Sequence, residues 1–188
     1  MTDRESRVRK FGLIIVAYPV VLVLIGLGLN VFLFGIEPAA IALPAPAILW
    51  ALVIAGTLLV LNHTWLMTAT ELTRLKYNMH ASPEEWAENN ARKEDVAEQG
   101  WIELDRHHNA HRNATENTVY FGVVAVIFSV VSPPVLAAQI WLVGFSVARL
   151  GYTFSALRGK PGLRGLFMSL SLLSLYGLTG YLVLSVVA

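Results

Sequence analysis

"DRHHNAHRNATEN" (residues 105–117) is a run of polar side chains that ends directly against "TVYFGVVAVIFSVV" (residues 118–131), one of the most apolar stretches of the chain. The apolar part contains 14 residues. At 1.5 Å per residue these cover only about 21 Å of a hydrocarbon core that is roughly 30 Å thick. If a helix crosses a membrane here, the end of the polar run must therefore lie inside the bilayer.

The composition predicts a membrane protein. Of the 188 residues, 55% are hydrophobic and only 14% are charged, which is unusual for a soluble domain. Four runs without charged side chains, 11–36, 38–70, 117–148 and 165–188, are each long enough to cross a bilayer as a helix. Because "SPP" at 132–134 interrupts the third run, two helices joined by a tight turn are expected there. The sequence thus predicts an all-α bundle with five membrane spans.

The basic residues predict the orientation of these spans. All 14 Lys and Arg residues fall at or toward one side, which comprises the N-terminus, the loop after span two and the loop after span four. The opposite side has only Glu37 and the apolar C-terminus. The positive-inside rule therefore places the N-terminus and both basic loops in the cytoplasm, and the C-terminus on the other side.

The one long hydrophilic segment lies between spans two and three. We expect span two to continue as a helix to about Asn78, and a break to follow at Ser82 and Pro83. A short helix with acidic residues in its first turn is then predicted from Pro83. The mixed charges of this segment are typical of a solvated surface, so the chain is expected to form one bundle rather than two domains.

Two charged side chains are predicted to lie at the same depth in the bilayer. Counted from the far membrane face, Glu116 in span three lies at about 24 Å and Arg149 in span four at about 21 Å. A charge within the bilayer is usually paired and turned toward the interior of a bundle, so we expect Glu116 and Arg149 to face one another. At helical spacing, span three also carries one polar stripe, made of Asn109, Arg112, Asn113, Glu116 and Tyr120.

The histidines offer a different hypothesis, a metal site. His107 and His111 are four residues apart, a spacing that would allow them to share a zinc ion. The alternative is that they are solvated or cap the helix, and this is the preferred interpretation. The chain has no cysteine, so Cys-bound metal is excluded and any thiol chemistry requires a thiol from a ligand.

A cluster of basic residues predicts a positively charged mouth at the cytoplasmic end of the bundle. One interpretation is that these residues only set the topology and bind anionic lipid headgroups. That interpretation explains Arg158 and Lys160 well but not the deeper Arg149. An anionic ligand that enters from the cytoplasm would fit the pocket, and no nucleic-acid partner is expected. The cluster consists of Arg74, Arg112, Arg149, Tyr152, Arg158, Lys160 and Arg164.

Three motifs resemble the MAPEG family, the membrane-associated proteins in eicosanoid and glutathione metabolism. "AHRNATEN" (110–117) is similar to the family signature Ala-His-x-Asn-x-x-Glu. "ARLGY" (148–152) resembles the Ala-Arg-Leu-x-Tyr of leukotriene C4 synthase. "TRLKYNMHASPEEW" (73–86) is similar to a prostaglandin E synthase segment in which a helix ends in Arg-Leu-Arg and a loop begins Asn-Pro-Glu-Asp. The resemblance covers roughly residues 44–188.

The resemblance implies a homotrimer of four-helix subunits that binds glutathione between neighbouring subunits near the cytoplasmic face. It also implies that residues 44–188 form the family's domain, and that residues 1–43 add a cytoplasmic segment and an extra helix. Arg164 resembles the arginine that holds the sulfur as a thiolate, and Arg158 is a competing candidate because the alignment needs a gap. The residues implied to bind glutathione are Arg74, Arg112, Asn113, Glu116, Arg149 and Tyr152.

The sequence therefore supports a principal hypothesis and two alternatives. The first is a glutathione-dependent membrane transferase or peroxidase that acts on a lipophilic electrophile. The second is a non-catalytic membrane scaffold of the same fold that binds lipid or glutathione. It is favoured by two departures from the family pattern, Asn109 in place of an arginine and Ala156 in place of a tyrosine. The third is a metal enzyme that uses His107 and His111.

Overall fold

The computed structural model describes residues 3–188, which form helices and connecting segments without any β-strand in that range. Four of the seven α-helices are long, and two short π-helical turns, Asn30–Phe34 and Gln139–Val143, extend or interrupt others. The helices are α1 Asp3–Leu29, α2 Pro46–Lys76, α3 Pro83–Glu88, α4 Glu98–Val130, α5 Val135–Ala138, α6 Gly144–Leu157 and α7 Pro161–Val187.

Proline fixes where three of these helices begin. Pro46, Pro83 and Pro161 each occupy the first helical position, where the missing N–H costs nothing and the fixed φ angle suits the helix. Ser82 caps α3 by accepting a hydrogen bond from the backbone N–H of Glu85. Hydrogen bonds to its carboxylate from its own backbone N–H and from the Ser82 side chain lower the pKa of Glu84. The predicted short helix from Pro83 is thus confirmed.

The "SPP" motif separates two helices, as predicted. α4 ends at Val130 and α5 begins at Val135, because Pro133 and Pro134 cannot continue a helix from the preceding turn. Ser132 adopts a positive φ of 55° in this turn. α5, the π-turn and α6 then form one continuous helical segment that runs back through the bundle.

The main apolar cluster joins α2, α4, α6 and α7. Stacked rings of Phe121 and Phe145, 4.0 Å apart, join α4 to α6, and Phe128 contacts Tyr181 of α7 edge to face. Alanines allow α2 to approach closely, with Ala55 fully buried in the same cluster. The C-terminal end of α4 meets the segment before α2, where the carbonyl oxygen of Val130 accepts a hydrogen bond from the backbone N–H of Ala42.

The N-terminal helix α1 lies parallel to α7 and is anchored by a buried amide. Asn30 donates a hydrogen bond to the carbonyl oxygen of Gly177 at 2.8 Å, and its Oδ1 accepts one from Nε1 of Trp141 at 2.9 Å. Small residues permit this contact, since a Cβ atom on Gly26 would lie 3.2 Å from the Gly177 backbone. Such close backbones and interhelical amide bonds are typical of helices packed in membranes.

A small second cluster covers the polar end of the bundle. Met79, Trp86 and Leu104 bury their side chains against one another, and the α3 segment thereby folds back on α4. Lys76 at the end of α2 forms a 3.1 Å ion pair with Glu103 of α4. The hydrophilic segment is therefore a packed cap and not a separate domain.

Four helical segments of residues 3–188 are long and apolar enough to cross a membrane: Arg9–Phe34, Pro46–Lys76, Val135–Leu157 and Pro161–Val187. α4 is not among them because its first half is too polar. The all-α membrane bundle is therefore confirmed, whereas a fifth span through α4 and the cytoplasmic placement of the N-terminus remain predictions.

Candidate functional site: a buried arginine and a polar cavity

The deepest charged group of the bundle is Arg149 of α6, whose side chain is fully buried. Its Nη2 donates a 2.8 Å hydrogen bond to Oδ1 of Asn113 in α4. Its guanidinium carbon lies 4.4 Å from the centroid of the Tyr152 ring. This is a cation–π contact, in which the electron-rich face of the ring attracts the positive charge. Nη1 has only a weak contact of 3.8 Å with the sulfur of Met168.

The predicted pairing of Glu116 with Arg149 is wrong. Glu116 is exposed, and no carboxylate of residues 3–188 forms an ion pair with Arg149. Nε of Arg149 is buried and has no hydrogen-bond partner in the part of the chain that the structure describes. The guanidinium is therefore held by neutral groups only, which is an unusual state for a buried charge.

The polar stripe of α4 faces outward, apart from Asn113. Arg112 and Glu116 are exposed, and Tyr120 has 68% of its surface accessible. Arg112 and Glu116 line an open groove with His108, His111 and Thr115. The stripe predicted from helical spacing exists, but it lies on the surface of the subunit rather than inside it.

A polar cavity of about 350 Å³ lies between α4, α6 and the start of α7. Tyr152 contributes from α6 and Arg164 from the first turn of α7, so the aromatic ring beneath Arg149 also forms part of this wall. The departures from the family pattern, Asn109 and Ala156, line the same cavity. The remaining lining residues are Ile102, Asp105, Arg106 and Ala110.

The other basic candidates lie elsewhere. Arg158 is exposed at the end of α6 and, like Lys160, lies 5.8 Å from the ring centroid of Phe154. Neither of these cations lines the polar cavity. Arg74 pairs with Glu71 one turn earlier at 2.5 Å, and its Nε is buried without a partner.

The histidines have separate partners. Nδ1 of His107 lies 3.0 Å from Oγ1 of Thr73 and 3.2 Å from the carbonyl oxygen of Ala69. Nε2 of His111 lies 3.2 Å from Nδ1 of His63. The hypothesis that His107 and His111 share a metal is therefore wrong, since the two side chains point to different partners. No group of three or more potential metal ligands occurs among the described residues.

Sequence reasoning missed Arg106 as a site residue. It belongs to the opening polar run and lies three residues before Asn109, on the same face of α4, and both line the polar cavity. The spacing alone could have placed Arg106 beside Asn109, because residues three apart on a helix are neighbours. Arg106 matches no position of the family motif, so the motif alone does not point to it.

Comparison with family models identifies the fold. The model of the MAPEG family matches residues 52–184. The chain belongs to the MAPEG family. The match begins inside α2 and ends near the end of α7, so the α1 segment of this MAPEG protein lies outside the matched range. Neither the curated proteins nor the solved structures give a match.

Proposed function

We propose that this MAPEG protein binds glutathione and uses its thiolate to conjugate or reduce a lipophilic electrophile. MAPEG membership supports a glutathione-related activity in general terms. The observation that carries the proposal is the fully buried Arg149, which has no carboxylate partner among the described residues. A buried guanidinium is costly unless an anion neutralises it, and an anionic peptide such as glutathione would supply that anion.

In this proposal the glutathione site extends from the buried arginine to the cavity. Asn113 and Tyr152 fix the guanidinium of Arg149 from two sides. Tyr152 also borders the cavity that contains Arg164. Arg74, Arg112 and Glu116 would contact the peptide from the outward face of α4 and the end of α2, and Arg-carboxylate pairs there would be bidentate.

Arg164 is the proposed stabiliser of the thiolate. An ordinary thiol has a pKa near 8.5, and lowering it by about two units requires about 2.7 kcal/mol. One guanidinium about 4 Å from the sulfur supplies roughly 4 kcal/mol at an effective dielectric constant of 20. Arg164 lines the polar cavity, whereas Arg158 does not, so Arg164 is preferred over the competing candidate.

The chemistry then needs no general base from the protein. Once the thiol proton has passed to water, the sulfur's electron pair forms a C–S bond with an electrophilic carbon, which either releases a leaving group with its electron pair or passes an alkene π pair to a proton from water. With a peroxide, the thiolate takes up the terminal oxygen as a sulfenic acid while an alkoxide leaves and is protonated. The thiol of a second glutathione then attacks the sulfenic sulfur, forming the disulfide and releasing water. Arg106 is proposed to supply the positive charge that Asn109 lacks, from one helical turn earlier.

The outward direction of the α4 stripe supports the proposed homotrimer. Arg112 and Glu116 would be costly if they faced lipid, and a second copy of the chain would cover them and complete the site. With α4 as a fifth span and the N-terminus in the cytoplasm, this site would open to cytoplasmic glutathione. Native mass spectrometry of the detergent-solubilised chain is expected to show a trimeric mass, and a monomer would contradict this arrangement.

The thiolate test compares two arginine variants. Wild type is expected to bind glutathione saturably and to show the ultraviolet absorbance of a thiolate at neutral pH. Arg164→Ala should keep binding but lose that absorbance, while Arg158→Ala, the matched control, should keep both. Loss of the thiolate in Arg158→Ala alone would reverse the assignment, and a wild type that never binds glutathione would refute the proposal.

A non-catalytic scaffold is the second candidate, and one observation favours it. Ala156 lines the polar cavity where many family members have a tyrosine, so a hydroxyl group is missing from the proposed site. This candidate predicts binding of hydrophobic ligands or glutathione without turnover. A turnover assay with a generic electrophile and glutathione separates the two candidates.

A further inference from the structure

The N-terminal helix α1 lies in a fixed parallel register with α7. The Tyr18 hydroxyl donates a 2.7 Å hydrogen bond to Oγ of Ser169, and about two turns further along Gly26 packs against the backbone of Gly177. In both pairs the partner lies 151 positions later in the sequence. Because every α-helix rises by the same distance per residue, this offset also holds toward the N-terminal ends of the two helices.

The register brings two basic segments to the same end of the bundle. It places Arg9 level with Lys160, the residue that precedes α7. Lys10 follows in α1, and Arg158 lies in the same α6–α7 turn as Lys160. All four side chains are exposed, and none of them forms an ion pair with a described residue. These four residues form what we call the α1–α7 basic surface.

The neighbouring sequence offers this surface little negative charge. Residues 6–36 and 117–188, which include most of α1 and all of α6 and α7, contain neither Asp nor Glu. The acidic residues of α1, Asp3 and Glu5, lie one turn or more before Arg9. A basic surface of this kind, at the point where two helices enter a bilayer, attracts anions at the membrane surface.

Next to the basic surface, α1 and α7 separate from one another. The backbones meet at Gly26, where a Cβ atom would lie 3.2 Å from Gly177. Nearer the basic end, the long Tyr18 side chain bridges the two helices instead. Most of residues 11–20 are exposed as a result. The side chains exposed at this level are apolar, and they include Phe11, Ile15, Leu163 and Leu166.

We propose that the α1–α7 basic surface binds the headgroup of an anionic phospholipid, whose acyl chains lie along the separated halves of α1 and α7. The phosphate oxygens accept hydrogen bonds from the guanidinium of Arg9 and the ammonium of Lys160. The exposed apolar side chains below them contact the acyl chains. A zwitterionic lipid has the same phosphate, but its own ammonium group offsets the charge, so the surface selects lipids with a net negative charge.

This lipid site is separate from the proposed glutathione site. It is built on α1, which lies outside the residues 52–184 that match the family model. α1 packs against α7, whereas the polar stripe that the proposed trimer covers lies on α4. Neither Lys160 nor Arg158 lines the polar cavity. The lipid site therefore stands whether or not the chain binds glutathione.

Native mass spectrometry of the full chain in a neutral detergent tests the site, because it resolves each bound lipid. The first phosphatidylglycerol is expected to bind at least about tenfold more tightly than phosphatidylcholine, since each basic residue near an anionic lipid strengthens its attraction about fivefold. Arg9→Gln/Lys160→Gln should weaken phosphatidylglycerol binding about 25-fold and leave phosphatidylcholine binding unchanged. Equal affinity of wild type for the two lipids would overturn the proposal.

A matched control distinguishes a site from general attraction to basic residues. Arg92→Gln/Lys93→Gln removes the same charge from exposed positions in the hydrophilic segment, and it should bind phosphatidylglycerol within about twofold of wild type. If this control loses as much affinity as Arg9→Gln/Lys160→Gln, the α1–α7 basic surface is not a site. Should Arg9→Gln/Lys160→Gln fail to fold, Lys10→Gln/Arg158→Gln removes the other two charges and must show a comparable loss for the proposal to hold.

Two further measurements identify the ligand as a lipid. Phosphatidylglycerol should raise the unfolding temperature of wild type but not that of Arg9→Gln/Lys160→Gln, whose unfolding temperature without lipid shows that it is folded. Inorganic phosphate at the same concentration should neither raise the unfolding temperature nor displace the bound lipid. Displacement by phosphate would show a site for free anions and refute the lipid assignment, as would equal stabilisation of wild type and variant by phosphatidylglycerol.

Discussion

The guanidinium of Arg149 is held at 2.8 Å by the carboxamide oxygen of Asn113, a neutral group on the neighbouring helix. This bond joins α4 to α6 at the centre of the bundle, and no carboxylate of the described residues shares it. The site is consequently a buried positive charge that is oriented but not neutralised. The proposed role of glutathione follows from this relationship.

Substitutions at Asn113 should separate stability from binding. Asn113→Ala leaves the buried guanidinium without its one strong acceptor, so a loss of about 1–3 kcal/mol in unfolding free energy is expected. Asn113→Asp neutralises Arg149 and should keep stability while weakening glutathione binding. Thermal unfolding and calorimetric titration in detergent measure both. Asn117→Ala is the control, since among the described residues the Asn117 side chain bonds only to the backbone carbonyl oxygen of Asn113 in its own helix.

The rotation of α4 explains why the partner of Arg149 was mispredicted. The helical rise per residue correctly predicted that residues 113–116 of α4 lie at the same depth as Arg149, because this rise depends on the backbone alone. Which side faces inward depends on packing. Small and aromatic side chains of α4 face the bundle interior instead of the polar stripe. They include Ala110, Ala114, Phe121, Ala125 and Phe128.

Several parts of the fold were predictable because a local rule fixes them. Pro83 predicted the start of one helix, the "SPP" motif predicted a break between two others, and the charge-free lengths predicted the apolar spans. Asn30 was not recognised as an anchor, because its partners Trp141 and Gly177 are more than 100 residues away. The polar cavity was likewise only partly predicted, since Arg106 matches no motif and its role depends on the approach of α7.

Loss of the Asn30 anchor should lower the stability of the protein without changing its affinity for glutathione. Asn30→Leu removes two buried interhelical hydrogen bonds, and such bonds in membrane proteins contribute about 0.6–2 kcal/mol. A lower unfolding temperature with unchanged glutathione affinity is expected. Thr179→Val serves as control, because the Thr179 hydroxyl bonds to the carbonyl oxygen of Leu175 in its own helix and to no other described residue. An unchanged unfolding temperature in Asn30→Leu would show that α1 is held by its apolar surface alone.

Gly177 should tolerate no side chain. A Cβ atom there would lie 2.5 Å from the Trp141 ring, which is held in place by Asn30. Overpacking of this kind typically costs 1–3 kcal/mol, so Gly177→Ala should lower the unfolding temperature. Gly165→Ala lies in the same helix with nothing within 4 Å of its Cβ, and it should be neutral or slightly stabilising. Equal behaviour of the two variants would contradict the packing described for α1 and α7.

Arg106 should contribute to glutathione affinity. If it supplies the charge that Asn109 lacks, Arg106→Ala should weaken glutathione binding about tenfold, as the loss of one charge-assisted hydrogen bond would. Arg92→Ala, in the hydrophilic segment and outside the polar cavity, is the control and should bind normally. An Arg106→Ala variant with wild-type affinity would exclude this residue from the site.

The most direct test is a calorimetric glutathione titration of the purified chain and of Arg149→Met. Methionine fills similar space without charge, which removes the desolvation cost of the guanidinium but leaves Oδ1 of Asn113 without its donor. The account predicts saturable binding by wild type and binding at least tenfold weaker in a variant that the unfolding temperature shows to be folded. It is contradicted if wild type shows no saturable binding, or if Arg149→Met binds glutathione as tightly as wild type.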